Sequence, residues 1–108
     1  MHSKSLSMLG LARRAGKLAM GHDMAKESVT KNKAKLIIIC EDASPRLAGE
    51  FNRLTGGRKG VELIQSHITM DEVHFAIGYK AAVMAVEDEN FSVRIIELLR
   101  QEENANDN

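Results

Sequence analysis

The chain has 108 residues, with 15 Lys plus Arg against 15 Asp plus Glu and 44% hydrophobic residues, which describes one ordinary compact domain rather than two. With 28% charged residues it contains no apolar run long enough to span a membrane as a helix. The single cysteine, Cys40, cannot form an internal disulfide, and no apolar leader with a small-residue cleavage site follows the start, so the expectation is a cytoplasmic protein.

The first acid is Asp23, an acid-poor opening that loosely resembles an organelle transit segment, but its apolar spacing is that of a folded helix. Met8, Leu11, Ala12 and Ala15 recur at i, i+3, i+4, i+7 and predict a first helix with that face inward, ended by Gly16. Lys17 to Met20 can then extend. After Gly21, a helix of about ten residues is expected, with Asp23 as N-cap and its end near Asn32, which tolerates the left-handed conformation. Leu36 to Cys40 is continuously apolar, the habit of a strand buried on both faces.

Ser44 and Pro45 supply an N-cap and an N1 proline for a helix carrying Leu47, Ala48, Phe51 and Leu54 before Gly56 and Gly57. Val61 to Ser66 reads as a strand. Thr69 with Glu72 forms a capping box ahead of Val73, Ala76 and Ile77, closed by Gly78. Ala81 to Val86 is the last strand, and Asp88 caps a final helix whose Phe91, Ile95, Leu98 and Leu99 face inward. Residues 1–100 are expected to form the domain and 101–108 an acidic, frayed tail. The alternation, without internal repeats, predicts the α/β class: a single-domain three-layer α/β/α sandwich.

Several catalytic readings fail on spacing. Gly10 to Lys17 superficially suggests a phosphate-binding loop, but the glycines are too far apart, Leu18 replaces the magnesium-holding Ser or Thr, and a helix precedes it. Glu41 and Asp42 at a strand end could hold magnesium, yet the first strand offers no acidic partner, and a dipole role at the next helix explains them more simply. Cys40 lies inside an apolar run, with His67 the one histidine that could approach it, and reads as a buried small hydrophobe. One cysteine and four scattered histidines give no zinc spacing.

The neutral total hides a polarised chain. Residues 1–60 hold twelve cations and five acids, and residues 61–108 hold three cations and ten acids, so the halves carry +7 and −7. A polyanion senses the field within roughly 8 Å at physiological salt, so the basic half can bind phosphate despite overall neutrality. Lys17, Gly21 and Lys26 bring positive groups and free amides toward the entrance of the second helix. Lys31, Lys33 and Lys35 follow at its far end, where the helix dipole also favours cations without any ligand. Arg46 follows the central strand. Aromatic residues are few and the phenylalanines fall at apolar helical positions, which argues against a base-stacking platform and for backbone and shape recognition of folded RNA.

Two stretches carry a family resemblance. LGLARRAGKLAM, Leu9 to Met20, followed by Gly21, and KAKLIIICEDAS, Lys33 to Ser44, resemble the bacterial YlxQ-like branch of the ribosomal L-seven-Ae family of kink-turn RNA-binding proteins. The likeness spans residues 6–48 and resumes more weakly over MDEVHFAIGYKAAVMAVED, residues 70–88, whereas GGRKG, residues 56–60, departs from it. It implies an α/β/α sandwich whose loop and helix from Gly21 contact the tandem sheared G·A pairs of a kink-turn. Family members that bind this RNA best present Asn, then Glu, then Lys three residues on. Here Asp23, Met24 and Glu27 occupy those places, so that contact set cannot form intact. The resemblance adds the loop Gly78, Tyr79, Lys80 and Ala81, and the EDAS loop with Arg46 completes the face.

The expected RNA-binding residues are therefore Lys17, Gly21, His22, Asp23, Lys26, Lys31, Lys33, Arg46, Gly78, Tyr79 and Lys80. The reading is a non-enzymatic protein of the ribosome or translation machinery that recognises structured RNA, ribosomal or otherwise kink-turn-like, with ribosomal or translation-factor proteins as further partners. It needs no cofactor, metal, membrane or catalytic residue. Two alternatives remain: an adaptor that keeps the fold with weak or lost kink-turn affinity, and a small enzyme using Glu41, Asp42 or Cys40. The RNA reading requires Lys17, Lys26, Arg46 and Lys80 to converge around Gly21.

Overall fold

The computed structural model describes residues 3–106. Its elements are α1 (Lys4–Arg14), β1 (Leu18–Met20), α2 (His22–Thr30), β2 (Leu36–Ile39), α3 (Pro45–Thr55), β3 (Glu62–Gln65), α4 (Met70–Ile77), β4 (Val83–Val86) and α5 (Glu89–Asn106). The four strands form one mixed sheet in the order β1-β4-β2-β3. β2 and β3 are parallel, while β4 runs antiparallel to both of its neighbours, β1 and β2. The two central strands, β2 and β4, are buried throughout, as the continuous apolar run predicts for β2.

Alternation along β2 and β4 sends side chains to two cores. Leu36, Ile38, Met84 and Val86 pack with Leu6 and Leu9 of α1, Val73 of α4, and Ile95 and Leu99 of α5. Ile37, Ile39, Val83 and Ala85 pack with Ala25 and Val29 of α2 and Phe51 of α3. Each fully buried Leu, Ile or Phe contributes roughly 1.5–3 kcal/mol. The result is the three-layer sandwich, with three helices on one face and two on the other.

Four local expectations are corrected. α1 buries Ser5, Leu6, Leu9 and Ala12, leaving Leu11 and Ala15 exposed. The polar Ser5 disguised this stripe, and it is buried because Glu102 accepts its amide at 3.0 Å and its hydroxyl at 2.7 Å. Asp23 is not the N-cap of α2; Gly21 is. Phe75 lies on the outer side of α4 and is 82% exposed. Of the expected tail, residues 101–106 continue α5, and Glu102 ties it to α1 and, through His67 Nε2 at 2.8 Å, to the β3–α4 loop, while 107–108 lie outside the described residues. The capping box of Thr69 and Glu72, the Ser44 cap and the Asp88 bond to the Phe91 amide are all present.

The direction of β4 decides where functional groups can meet. β1, β2 and β3 all end at the sheet edge where β4 begins. Backbone bonds knit this edge: Gly21 N–H donates to Val83, Cys40 N–H to Ala82, and Glu41 N–H to Ile68. At the opposite edge Glu87 N–H donates to Lys17, Lys35 N–H to Val86 and Glu62 N–H to Lys35.

Candidate nucleic-acid interface

Gly21 turns the chain from β1 into α2 with φ +93° and ψ 168°, a conformation open essentially to glycine alone. Its carbonyl accepts the Ala25 amide at 2.9 Å. The amides of His22, Asp23 and Met24 precede the first intrahelical donor, and no side chain caps them. A row of free N–H groups at the positive end of a helix dipole is thus presented beside the 41–44 loop and the 78–82 loop.

Side chains complete this edge, and most of its charges are paired. His22 Nε2 lies 2.8 Å from Glu50 and Nδ1 3.1 Å from Asp23, while the ring meets Phe51 edge-on at 5.7 Å. The hydrogen bonds to Glu50 and then Asp23 raise the His22 pKa, and the bond to His22 in turn holds the Glu50 carboxyl below its ordinary range. Lys26 Nζ is 3.5 Å from Glu50, and Lys80 Nζ is 3.4 Å from Asp71. Asp42 accepts the Met70 amide at 3.0 Å and so serves α4 rather than the helix that follows it in sequence. Arg46, exposed in the first turn of α3, has no carboxylate partner among the described residues.

The expected site is therefore split. Gly21, His22, Asp23, Lys26, Arg46, Gly78, Tyr79 and Lys80 belong to the edge just described. Lys17, Lys31 and Lys33 do not join them: they lie at the other edge, because β1 and α2 carry the chain from one end of the sheet to the other and back. Lys31 is moreover bonded to Glu27, which raises its pKa and lowers that of Glu27. The convergence of cations around Gly21 is reduced to Lys26, Arg46 and Lys80, two of them shared with carboxylates.

Sequence reasoning missed two participants. Arg13 of α1 lies 5.5 Å from the Tyr79 ring centre, with Nη1 3.2 Å from Met20 Sδ, so a cation from a distant helix reaches the residue before Gly21. Glu50 was the other. A helical i, i+4 relation links neither to its partner, and no local signal marked them.

Catalytic alternatives lose their geometry. The Cys40 thiol donates to the Ala81 carbonyl at 3.4 Å and is pushed up to about 12 by burial and by the nearby Asp42 and Glu72. His67 is engaged with Glu102, so among the described residues it forms no thiol–imidazole pair with Cys40. Among the described residues no group of three or more His, Cys, Asp or Glu could hold a metal ion, and no helix is long and apolar enough to cross a membrane.

The mixed four-stranded sandwich with an uncapped helix entrance beside two short loops defines a class of small α/β proteins. The chain belongs to the ribosomal protein L7Ae/L30e/S12e/Gadd45 family, whose model matches residues 3–93. It is 31% identical over 94 residues to the RNA-binding protein YlxQ of Bacillus subtilis (strain 168), covering 85% of this chain and 91% of that one. Among solved structures it is similar to a protein of unknown function from Bacillus halodurans C, with TM-score 0.80, 27% identity, and 92% of this chain and 99% of that one covered. A Giardia lamblia 15.5kD RNA binding protein shares the fold at TM-score 0.68 and 17% identity, with 89% of this chain and 84% of that chain covered.

Proposed function

We propose that the protein is a non-enzymatic, cytoplasmic RNA-binding protein that grips structured RNA at the α2 entrance. The carrying observation is the set of uncapped amides from His22 to Met24 beside Lys26, Arg46 and the Gly78–Lys80 loop. Such amides accept phosphate oxygens, while the loops reach base edges exposed by a bend in the RNA. Family membership and the RNA-binding Bacillus subtilis relative support an RNA ligand; on this reading it is an RNA of the ribosome or translation machinery, with the kink-turn as its structural type.

A second reading is favoured by the carboxylates Asp23, Glu50 and Asp71, which stand against His22, Lys26 and Lys80 of that edge. In it the fold serves as an adaptor for a ribosomal or translation-factor protein and kink-turn affinity is weak. Fluorescence anisotropy with a kink-turn RNA and a straight duplex of matched length, over a salt series, separates the two. Tighter binding to the kink-turn is the expected result; equal and weak binding to both would favour the adaptor.

A further inference from the structure

The edge opposite the α2 entrance gathers cations that the family resemblance does not absorb. Lys17 precedes β1, Lys31, Lys33 and Lys35 lie between α2 and β2, and Arg58 and Lys59 lie between α3 and β3. One shallow groove is lined by Lys31 and Lys33 together with Glu27 and Glu87, and another by Asn32, Lys35, Arg58 and Lys59. Of the six cations, Lys31 alone has a carboxylate within 4.0 Å among the described residues.

Three nearby acids keep their charge but have fixed partners: Glu87 accepts the Ser28 hydroxyl at 2.7 Å, Glu27 holds Lys31 with Lys33 close enough to act on it, and Asp88 caps α5. Glu62 stands exposed on the edge strand. Arg58 holds the arrangement together: its Nη1 donates to the Val29 carbonyl at 3.2 Å and to Asn32 Oδ1 at 3.1 Å, locking the GGRKG loop onto the end of α2. Asn32, in the left-handed conformation at φ 60°, is fixed by the same bond.

The α2 dipole accounts for a cation in its last turn, but that field fades within a turn and does not explain Lys17 or Lys59, which come from other segments. Like charges held together and left unpaired weaken the fold by self-repulsion, which a polyanion would relieve. The two edges are separated by strands of up to four residues, about 13 Å at ~3.3 Å per residue. That exceeds the Debye length of roughly 8 Å, so the edges act as distinct electrostatic sites. Segments 31–35 and 56–61 contain no aromatic residue, which argues against the apolar centre of a protein interface.

We propose that this edge, with Lys17, Lys33, Lys35 and Lys59 as its free charges, is a second binding face that takes the phosphate backbone of duplex RNA without regard to sequence. The inference rests on the RNA-binding reading and extends it: one molecule would hold a structured element at the α2 entrance and a neighbouring duplex at the other end of the sheet.

The test is anisotropy of a straight RNA duplex against salt, for the intact chain and the double variant Lys33→Gln/Lys59→Gln, with kink-turn RNA in parallel. Both lysines are exposed, and a circular dichroism melt checks that the variant keeps its fold. The slope of log affinity against log salt is expected to fall by about two, with duplex affinity down about tenfold at low salt. An unchanged duplex slope with kink-turn binding intact would overturn this face and leave the proposed function standing. Absence of RNA binding by the intact chain overturns both. Loss of binding to polyglutamate with an unchanged duplex slope would reassign the face to an acidic protein and overturn the inference.

Discussion

The two ends of the sheet hold similar kinds of side chain and treat them in opposite ways. At the α2 entrance, Lys26 and Lys80 each stand beside a carboxylate and His22 bridges two of them, while on the other helix layer half-buried Glu102 holds Ser5 and His67. At the other end Lys17, Lys33, Lys35 and Lys59 have no such neighbour among the described residues. The difference shows that net charge along the sequence is a poor guide to local field. The basic half of the chain supplies both ends, but acids from α3 and α4 fold back onto only one of them.

The comparison breaks most visibly at Glu102. Glu102→Ala removes the acceptor of the buried Ser5 hydroxyl and amide and of His67, leaving polar groups unsatisfied at about 1–3 kcal/mol. A thermal melt should show Tm lowered by roughly 4–8 °C for each kcal/mol lost. The pH dependence follows from the carboxyl itself. Burial pushes it up, but the Ser5 hydroxyl and amide and His67 outweigh burial and hold it below its ordinary value. Its stabilisation is therefore present above the unfolded value of about 4.3 and is lost as pH falls through the folded one. The gap between the intact chain and Glu102→Ala should narrow in acid. A gap that stays constant from pH 7 to pH 3 would mean that the carboxylate form is not the stabilising one.

Glu102 also marks where the sequence stops being legible. Local signals were sufficient for the sandwich: the caps at Ser44, Thr69 and Asp88, the unbroken apolar run at Leu36 to Ile39 and the stop at Gly78 are all contained within a few residues. The Ser5–Glu102 bond joins positions 97 apart, so a serine among leucines looked like the wrong face and an acidic helix end looked like a tail. The site suffered for a related reason. Lys17 and Gly21 are four positions apart, yet a three-residue strand places them at opposite edges. Proximity in sequence was read as proximity in space, whereas Arg13 and Glu50, remote in sequence, are the groups that reach the α2 entrance.

A smaller effect sharpens the contrast at the entrance. Glu50→Gln removes the carboxylate shared by His22 and Lys26 and should free Lys26 for phosphate. Exposed pairs are worth about 0.2–1 kcal/mol, so kink-turn RNA affinity should rise about threefold, with little change in Tm. Anisotropy against the same RNA checks it. The opposite edge predicts the reverse sign, because Lys33→Gln there subtracts a charge that no carboxylate holds within 4.0 Å among the described residues. Unchanged affinity for Glu50→Gln would place the entrance cations away from the RNA.

The smallest expected effect is the one that separates the edges without any mutation. His22 has its pKa raised by Glu50 and Asp23, with Lys26 the neighbouring cation on the same carboxylate. A group raised in the folded state stabilises below its unfolded value of about 6.5, and that contribution is lost as pH climbs through the folded value. Because the His22 side chain is 42% exposed, solvent screening limits this to a few tenths of a kcal/mol, readable as a slightly higher Tm relative to His22→Gln at pH 6 than at pH 8. RNA bound at the entrance should respond as well: protonation adds one cation beside the free amides, so the salt slope for kink-turn RNA should steepen by about one from pH 8 to pH 6. The loops of the opposite edge contain no histidine, so the slope for duplex RNA held there should stay constant. Equal pH responses for both RNAs would mean that they share one face.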